Sequence, residues 1–144
     1  MKERIRYDRN IPAEMLSAIR QHVERCLWLL PAWMQYVNVE CANGDEERPA
    51  ITTYVNHEYR WATITFYPDW LAADEETREN NVIHEFLHLS SNPIFDHANN
   101  TIKVLMGDSD EAKRFYRIEE NRLRELHEAM VQDLAQMIQE RPRQ

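Results

Sequence analysis

Two histidines and a glutamate form the segment of this chain best suited to chemistry. His84 and His88 are four residues apart in a stretch with helical periodicity, so both imidazoles lie on one face, one turn apart, where they can bind one metal ion. Glu85 follows the first histidine and can reach a water on that metal. Zinc lowers the pKa of such a water to about 7, and a carboxylate can then take its proton. The spacing therefore predicts a catalytic zinc site with Glu85 as general base.

The residues around this motif strengthen the prediction. The chain contains six histidines, so the pattern alone is a weak signal. Apolar residues stand between and beside the two histidines, notably Val82, Ile83 and Phe86, which predicts that the helix is well buried. The simpler alternative is a pair of surface histidines on an amphipathic helix, and the apolar neighbours argue against it.

The third ligand of the predicted site is not fixed by spacing. A catalytic zinc usually has three protein ligands and one water. A metzincin would continue with a glycine and a histidine three and six residues after His88, but Ser91 and Ile94 stand there. The downstream carboxylates and imidazoles are the candidates: Asp96, His97, Glu119, Glu120, His127 and Glu128.

Helical spacing separates the candidates on the last predicted helix. The apolar stripe expected to face the core consists of Ala112, Phe115/Tyr116, Leu123, Leu126, Met130, Leu134 and Met137/Ile138. Glu119 and His127 fall within this stripe, whereas Glu128 lies further round, beside Val131 and Ala135. A buried carboxylate needs a partner, which zinc would supply, and a solvated side chain is the simpler interpretation of any one of these acids.

The elements before the motif predict an α+β domain. A first helix is expected to begin at Asn10 as N-cap and to stop at Pro31. Three strands follow, at residues 34–41, 51–55 and 60–67, and are expected to form a small, mainly antiparallel sheet. The acidic run 45–47 belongs to the loop between the first two strands.

Two more helices are expected after the sheet. The acidic run 74–76 suits the N-terminus of the helix that carries the motif, and Pro93 is expected to break that helix. Irregular chain is expected from there to Asp108. A capping box formed by Asp108 and Glu111 then starts a long helix that runs to about residue 139. The whole chain, residues 1–144, is expected to be a single domain.

Composition restricts the classes of function. The chain has 144 residues, 43% apolar and 29% charged, which suits one soluble domain with a real core. Its formal net charge of -8 argues against nucleic-acid and acidic-membrane binding, because phosphates would be repelled. Cys26 and Cys41 form no C-x-x-C pair and are expected to be reduced thiols. No signal peptide or membrane-spanning stretch is visible, which favours a cytoplasmic protein.

These pieces, taken in order, resemble the gluzincin group of zinc peptidases. The chain is most similar to the very small metallopeptidases often encoded in phages and prophages, and more loosely to SprT-type proteins. The resemblance covers about residues 12–139 and rests on the strand WATITFYPDW, the segment NNVIHEFLHLSSNP and the helix that ends LHEAMVQDLAQMI. It implies a zincin-like fold and a bound Zn²⁺. Unlike SprT-type proteins, this chain has no cysteine-rich zinc ribbon.

The resemblance also implies a ligand set. In the gluzincin group a glutamate on the later helix, often followed by alanine, is the third ligand. The segment HEAMVQD is similar to that context and implies Glu128 rather than Glu120. The metal ligands would then be His84, His88 and Glu128, with Glu85 as the catalytic base.

The group also uses a tyrosine and a histidine to stabilise the oxyanion. This chain has no clear match to them, and Tyr116, His97 and His127 are all candidates.

The expected function is hydrolysis of peptide bonds in a peptide or protein substrate, without a nucleic-acid or membrane partner. The strand at residues 60–67 is a candidate edge for pairing with an extended substrate. Trp61 and Tyr67 could line the cleft, although aromatic residues of a sheet more often belong to the core. The alternative is a zinc-binding interaction or regulatory module with a metallopeptidase-like fold and no proteolysis. A third hypothesis is a metal-free helical interaction protein that uses the last helix.

Overall fold

The computed structural model describes residues 3–44 and 48–141. The acidic run predicted to lie in a loop, residues 45–47, falls outside the described residues. The elements in chain order are β1 (Ile5–Tyr7), α1 (Ala13–Arg25), a short 3-10 helix (Leu27–Leu29), β2 (Tyr36–Cys41), β3 (Ile51–Asn56), β4 (Trp61–Phe66), α2 (Pro68–Ala72), α3 (Glu75–Met106) and α4 (Asp110–Glu140). The predicted α+β class is confirmed.

The sheet differs from the expected three-stranded, mainly antiparallel one. It has four strands in the order β1-β2-β4-β3. The pairs β1–β2 and β2–β4 are parallel, and only β3–β4 is antiparallel. The parallel pairing arises because α1 connects β1 to β2 as a crossover, and β4 then enters between β2 and β3. The three-residue strand β1 is too short to stand out in the sequence.

The first helix is shorter than expected at both ends. It begins at Ala13, after Pro12, so Asn10 is not its N-cap. The backbone N–H of Asn10 instead donates to the Asp8 carboxylate. At the other end the chain tightens into the 3-10 helix before it reaches Pro31. Proline at the start of a helix is favourable because its missing N–H would lack an intrahelical partner there anyway.

One face of the sheet forms the core with the helices. The predicted alternation along β4 is confirmed, because Ala62, Ile64 and Phe66 are buried. Residues of α1, α2 and α3 join them in one cluster, including Ile19, Val23, Trp70, Val82, Phe86 and Leu89. Trp61 lies on the opposite face, stacked against Tyr36. The sheet therefore has one face on the core and one face toward solvent.

Helix α3 continues through the proline predicted to end it. It begins at Glu75, after the N-cap Asp74, whose side chain accepts from the N–H of Thr77, and it runs to Met106 with Pro93 inside. An internal proline costs about 3 kcal/mol because it removes one backbone hydrogen bond and crowds the preceding turn. Side chains of α3 contact α4 on both sides of Pro93, and we attribute the unbroken helix to these contacts.

The face of α4 that packs on the domain matches little of the predicted apolar stripe, of which Ala112 is buried and Ile138 packs against the core. Val131 and Ala135 are fully buried, whereas Leu126, Met130 and Met137 are half or more exposed. The helix begins after Ser109, whose hydroxyl accepts from the N–H of Ala112, so the cap lies one residue beyond the predicted Asp108. The largest apolar residues of α4 are thus left outside the fold.

Two remaining expectations concern cysteines and membranes. Cys26 and Cys41 form no disulfide, as expected for reduced thiols. Burial raises the pKa of the Cys26 thiol to about 12, which makes it unreactive near neutral pH. Within residues 3–44 and 48–141, no helix has the length and apolar character needed to cross a bilayer.

Candidate metal centre

The two histidines of the motif lie on the side of α3 that faces α4. The four-residue spacing places their rings one above the other, with centroids 4.8 Å apart. The Nε2 atoms of His84 and His88 are 3.0 Å apart. Buried neighbours on both sides, Ile83 and Leu89, fix this part of the helix against the sheet. The pair is therefore held in place by the core below it.

Glu128 of α4 completes a three-membered cluster. One carboxylate oxygen lies 3.1 Å from Nε2 of His84, and the other lies 3.2 Å from Nε2 of His88. Four ligands at 2.0–2.1 Å around a tetrahedral zinc are about 3.3 Å from one another. The three side chains can therefore hold one metal ion after shifts of a few tenths of an ångström.

A relay of side-chain amides fixes the tautomer of His84. The carbonyl oxygen of Gln132 accepts from Nδ1 of His84 at 2.9 Å. The amide of Gln132 donates to Asn80, which donates to Gln139, which donates to the main-chain carbonyl of Glu76. A main-chain carbonyl can only accept, so the direction of every bond in the relay is set. His84 is therefore protonated on Nδ1, and its Nε2 presents a lone pair.

His88 is oriented in the same way by a residue of its own helix. Its Nδ1 lies 2.8 Å from the side-chain oxygen of Asn92, one turn later. Nδ1 therefore donates, and Nε2 presents a second lone pair next to that of His84. Two lone pairs and the carboxylate of Glu128 repel one another unless a cation lies between them. The donor set and its outer hydrogen bonds match those of histidine–carboxylate metal sites.

Glu85 points away from α4, toward the edge strand β3. The hydroxyl of Thr53, on the inner face of β3, donates to its carboxylate at 2.5 Å. Burial raises the pKa of Glu85 to about 7, with Glu128 adding to the rise, while Thr53 and His84 oppose it. A carboxyl group with a pKa near neutrality can both accept and return a proton. Glu85 therefore lies beside the cluster as a group that can exchange a proton near neutral pH.

His127 forms a third imidazole at the same site. Its ring lies 5.0 Å from that of His88 and is stacked on Phe95, with centroids 4.8 Å apart. Its Nε2 is 2.8 Å from the hydroxyl of Ser91. Burial lowers the pKa of His127, so the ring is neutral near pH 7. It lies beside the cluster without joining its three ligand atoms.

The other candidates for the third ligand lie elsewhere. Glu119 and Glu120 form ion pairs along α4 with Arg122 and Arg124. Asp96 lines the cleft in front of the cluster. His97 is exposed and does not line this cleft. Of the described residues, only His84, His88 and Glu128 bring ligand atoms from three such side chains within 4.8 Å of one another.

The cluster opens into a cleft of about 400 Å³ between α3, α4 and β3. Its lining includes Ile51 and Thr53 of β3, Phe95 of α3 and Arg124 of α4. Strand β4, the predicted edge, is paired on both sides, so that prediction is wrong and β3 is the edge beside the cleft. Trp61 and Tyr67 do not line the cleft.

Several residues of the site have no signature in the sequence. Thr53, Asn80, Asn92 and Gln132 are polar residues of ordinary strands and helices, and their partners are up to 59 positions away along the chain. Asn92 could have been found, because it lies four residues after His88 on the same helix. The other three required the packing of α4 and β3 on α3.

Comparisons of this chain with models of protein families, with curated proteins and with solved structures found no match.

Proposed function

We propose that this chain is a zinc-dependent metallopeptidase of the gluzincin type, with a zincin-like fold. The observation that supports it is the convergence of His84, His88 and Glu128, with their lone pairs aimed at one point, next to the half-buried Glu85. A structural zinc site is usually closed by four protein ligands, whereas three ligands leave a position for water and substrate. Both the open position and the adjacent base favour catalysis.

Each residue of the site has a distinct role in this proposal. When bound, Zn²⁺ polarises the scissile carbonyl and acidifies the attacking water. Glu85 accepts the proton of that water and returns it to the leaving amine, which its pKa near 7 permits. The hydroxyl of Thr53 holds the carboxylate of Glu85 toward the cleft. Gln132 and Asn92 keep both imidazoles in the tautomer that binds metal through Nε2.

The edge strand suggests how a substrate is held. Within the described residues, β4 is the single strand that pairs with β3, and Ile51, Thr52 and Thr53 line the cleft. An extended peptide can add to such an edge by main-chain hydrogen bonds and lie across the cluster. The substrate class in this proposal is therefore an extended peptide or an unfolded protein segment.

His127 is the best placed of the three oxyanion candidates. It lines the cleft beside His88, whereas His97 is exposed and Tyr116 lies under the ammonium group of Lys103. A neutral imidazole can donate one hydrogen bond to a developing negative charge. His127 would do so from the α4 side of the cleft, opposite Glu85.

The test combines metal analysis with peptide cleavage. The wild-type protein, Glu85→Gln and His84→Ala are purified, and their zinc content is measured by mass spectrometry. Each is then incubated with a proteome-derived peptide library, and new peptide termini are identified. We expect one zinc in the wild type and in Glu85→Gln, and none in His84→Ala. Cleavage should fall by about 10²-fold or more in both variants, because Glu85→Gln removes the general base and His84→Ala removes the metal.

Glu119→Gln is the matched control, because it removes a carboxylate of α4 that lies outside the cleft. It should retain both zinc and activity. Wild-type protein without stoichiometric zinc would refute the proposal. If zinc binds but no peptide is cleaved, or if Glu85→Gln cleaves as fast as the wild type, the chain is a zinc-binding interaction module instead.

A further inference from the structure

A long apolar stripe on α4 has no partner in the described part of the chain. Six of its residues are 40–68% exposed: Phe115, Ile118, Leu126, Met130, Leu134 and Met137. They extend along about 33 Å of the helix, at 1.5 Å per residue. The residues that pack α4 on the domain, such as Val131 and Ala135, lie on a different face. The fold therefore leaves the most apolar face of α4 uncovered.

The size of this stripe lies at the upper end of what the surface of a monomer usually exposes. Six large side chains exposed to this extent present roughly 600 Å² of apolar surface, the upper end for the largest patch on a monomer. A standard interface buries about 800 Å² per partner. The stripe with its flanking residues is therefore of the size that a stable dimer needs.

The spacing along the stripe favours a second copy in the antiparallel direction. Starting at residue 115, the intervals to 118, 122, 126, 130, 134 and 137 are three, four, four, four, four and three residues. This series reads the same from either end. An antiparallel copy centred on Leu126 therefore places Phe115 opposite Met137 and Ile118 opposite Leu134. Arg122 is the only polar residue of the series, and its aliphatic stem can lie over Met130.

The charges of α4 favour the same direction. Residues 113–124 contain five Lys or Arg and two Glu, whereas residues 125–140 contain four Asp or Glu and no Lys or Arg. An antiparallel pair places the basic half of each helix beside the acidic half of the other. A parallel pair would place like charges together, which is unfavourable.

We propose that this chain forms a homodimer through the exposed stripe of α4, with the two helices antiparallel and the two-fold axis near Leu126. This surface faces away from the cleft, since Glu128 and Gln132, which point toward α3, lie on another side of α4. Both clefts stay open in the dimer. The inference does not depend on the metal site, and a metal-free or inactive protein would still dimerise.

Charge swaps at one predicted contact test both the surface and the direction. Ile118→Lys and Leu134→Glu are made singly and together, because both side chains are exposed and the variants should fold. Masses are measured by analytical ultracentrifugation at about 100 µM, a concentration at which an interface of micromolar Kd is largely occupied. We expect a dimeric wild type and monomeric single variants. The double variant should regain the dimer, since each introduced lysine would face an introduced glutamate on the other copy.

The control is Val104→Glu, which changes an even more exposed apolar residue, on α3 and outside the stripe. It should remain dimeric, and circular dichroism should show the same helix content in all variants. A monomeric wild type would overturn the proposal. A double variant that stays monomeric would overturn the antiparallel arrangement, and dissociation of Val104→Glu would overturn the assignment to α4.

Discussion

The amide relay behind His84 can be tested through zinc affinity. Gln132→Leu keeps the approximate size of the side chain and removes the acceptor that holds Nδ1 of His84. The ring is then free to rotate and to protonate at Nε2, which competes with metal. Loss of an outer hydrogen bond of this kind typically lowers metal affinity about 10–100-fold, which corresponds to about 1.4–2.7 kcal/mol.

Competition with a chromophoric chelator measures this change directly, because it reports Kd for zinc without requiring a substrate. The matched control is Gln136→Leu, one turn further along α4, where the amide donates to Glu140 on the surface. We expect a weaker Kd in Gln132→Leu and an unchanged Kd in Gln136→Leu. Equal affinities in wild type and Gln132→Leu, within about a factor of two, would refute the role of the relay.

Two further predictions concern pH. Burial raises the pKa of Glu85 from 4.5 to about 7 in the metal-free fold. Between these two pH values the carboxyl group is ionised in the unfolded chain but still protonated in the folded one, so the free energy of unfolding falls as pH rises. The free energy of unfolding of Glu85→Gln relative to the wild type should therefore rise by on the order of 3 kcal/mol as pH rises from about 4.5 to 7. If urea unfolding gave the same difference between the two proteins at every pH, this prediction would be contradicted. Burial lowers the pKa of His22, which lies beside Trp70 and whose Nδ1 finds no hydrogen-bond partner among the described residues. Stability is then fully present above about pH 6.5 and lost on acidification, because the folded state resists protonation. His22→Phe should flatten this loss between about pH 7 and pH 5 in urea unfolding, and an identical slope in both proteins would refute it.

The sequence predicted those features of the fold that are set within a single helix or strand. The alternation of β4 and the acidic start of α3 are such cases, since both follow from the periodicity and the ends of single elements. The pairing of strands was not predictable in this way. It depends on α1 crossing over to make β1 and β2 parallel, and a three-residue strand carries almost no pattern.

The residues of the candidate site also differ in whether their positions follow from one helix or from the packing of distant elements. His84 and His88 share one face because of their spacing, and the sequence indicates this directly. Whether Glu128 joins them depends on which face of α4 is buried. Helical spacing predicted that the most apolar face is buried, but that face is exposed. The resemblance expected from the sequence motifs implied Glu128 instead. Thr53 and Gln132 were invisible, since their roles arise only where distant elements meet.

The position of the three clustered residues has a consequence for how α4 is attached. Two of them belong to α3 and the third to α4. The chain between them forms the outer part of a helical hairpin, and across residues 90–127 the only buried side chain is that of Ala112. An ion bound by all three acts as a cross-link across roughly 40 residues, and closing a loop of that length in the unfolded chain is worth about 4 kcal/mol. A bound metal would thus keep the hairpin closed, and chelation should increase protease cleavage at the turn around Gly107, which is already exposed to solvent.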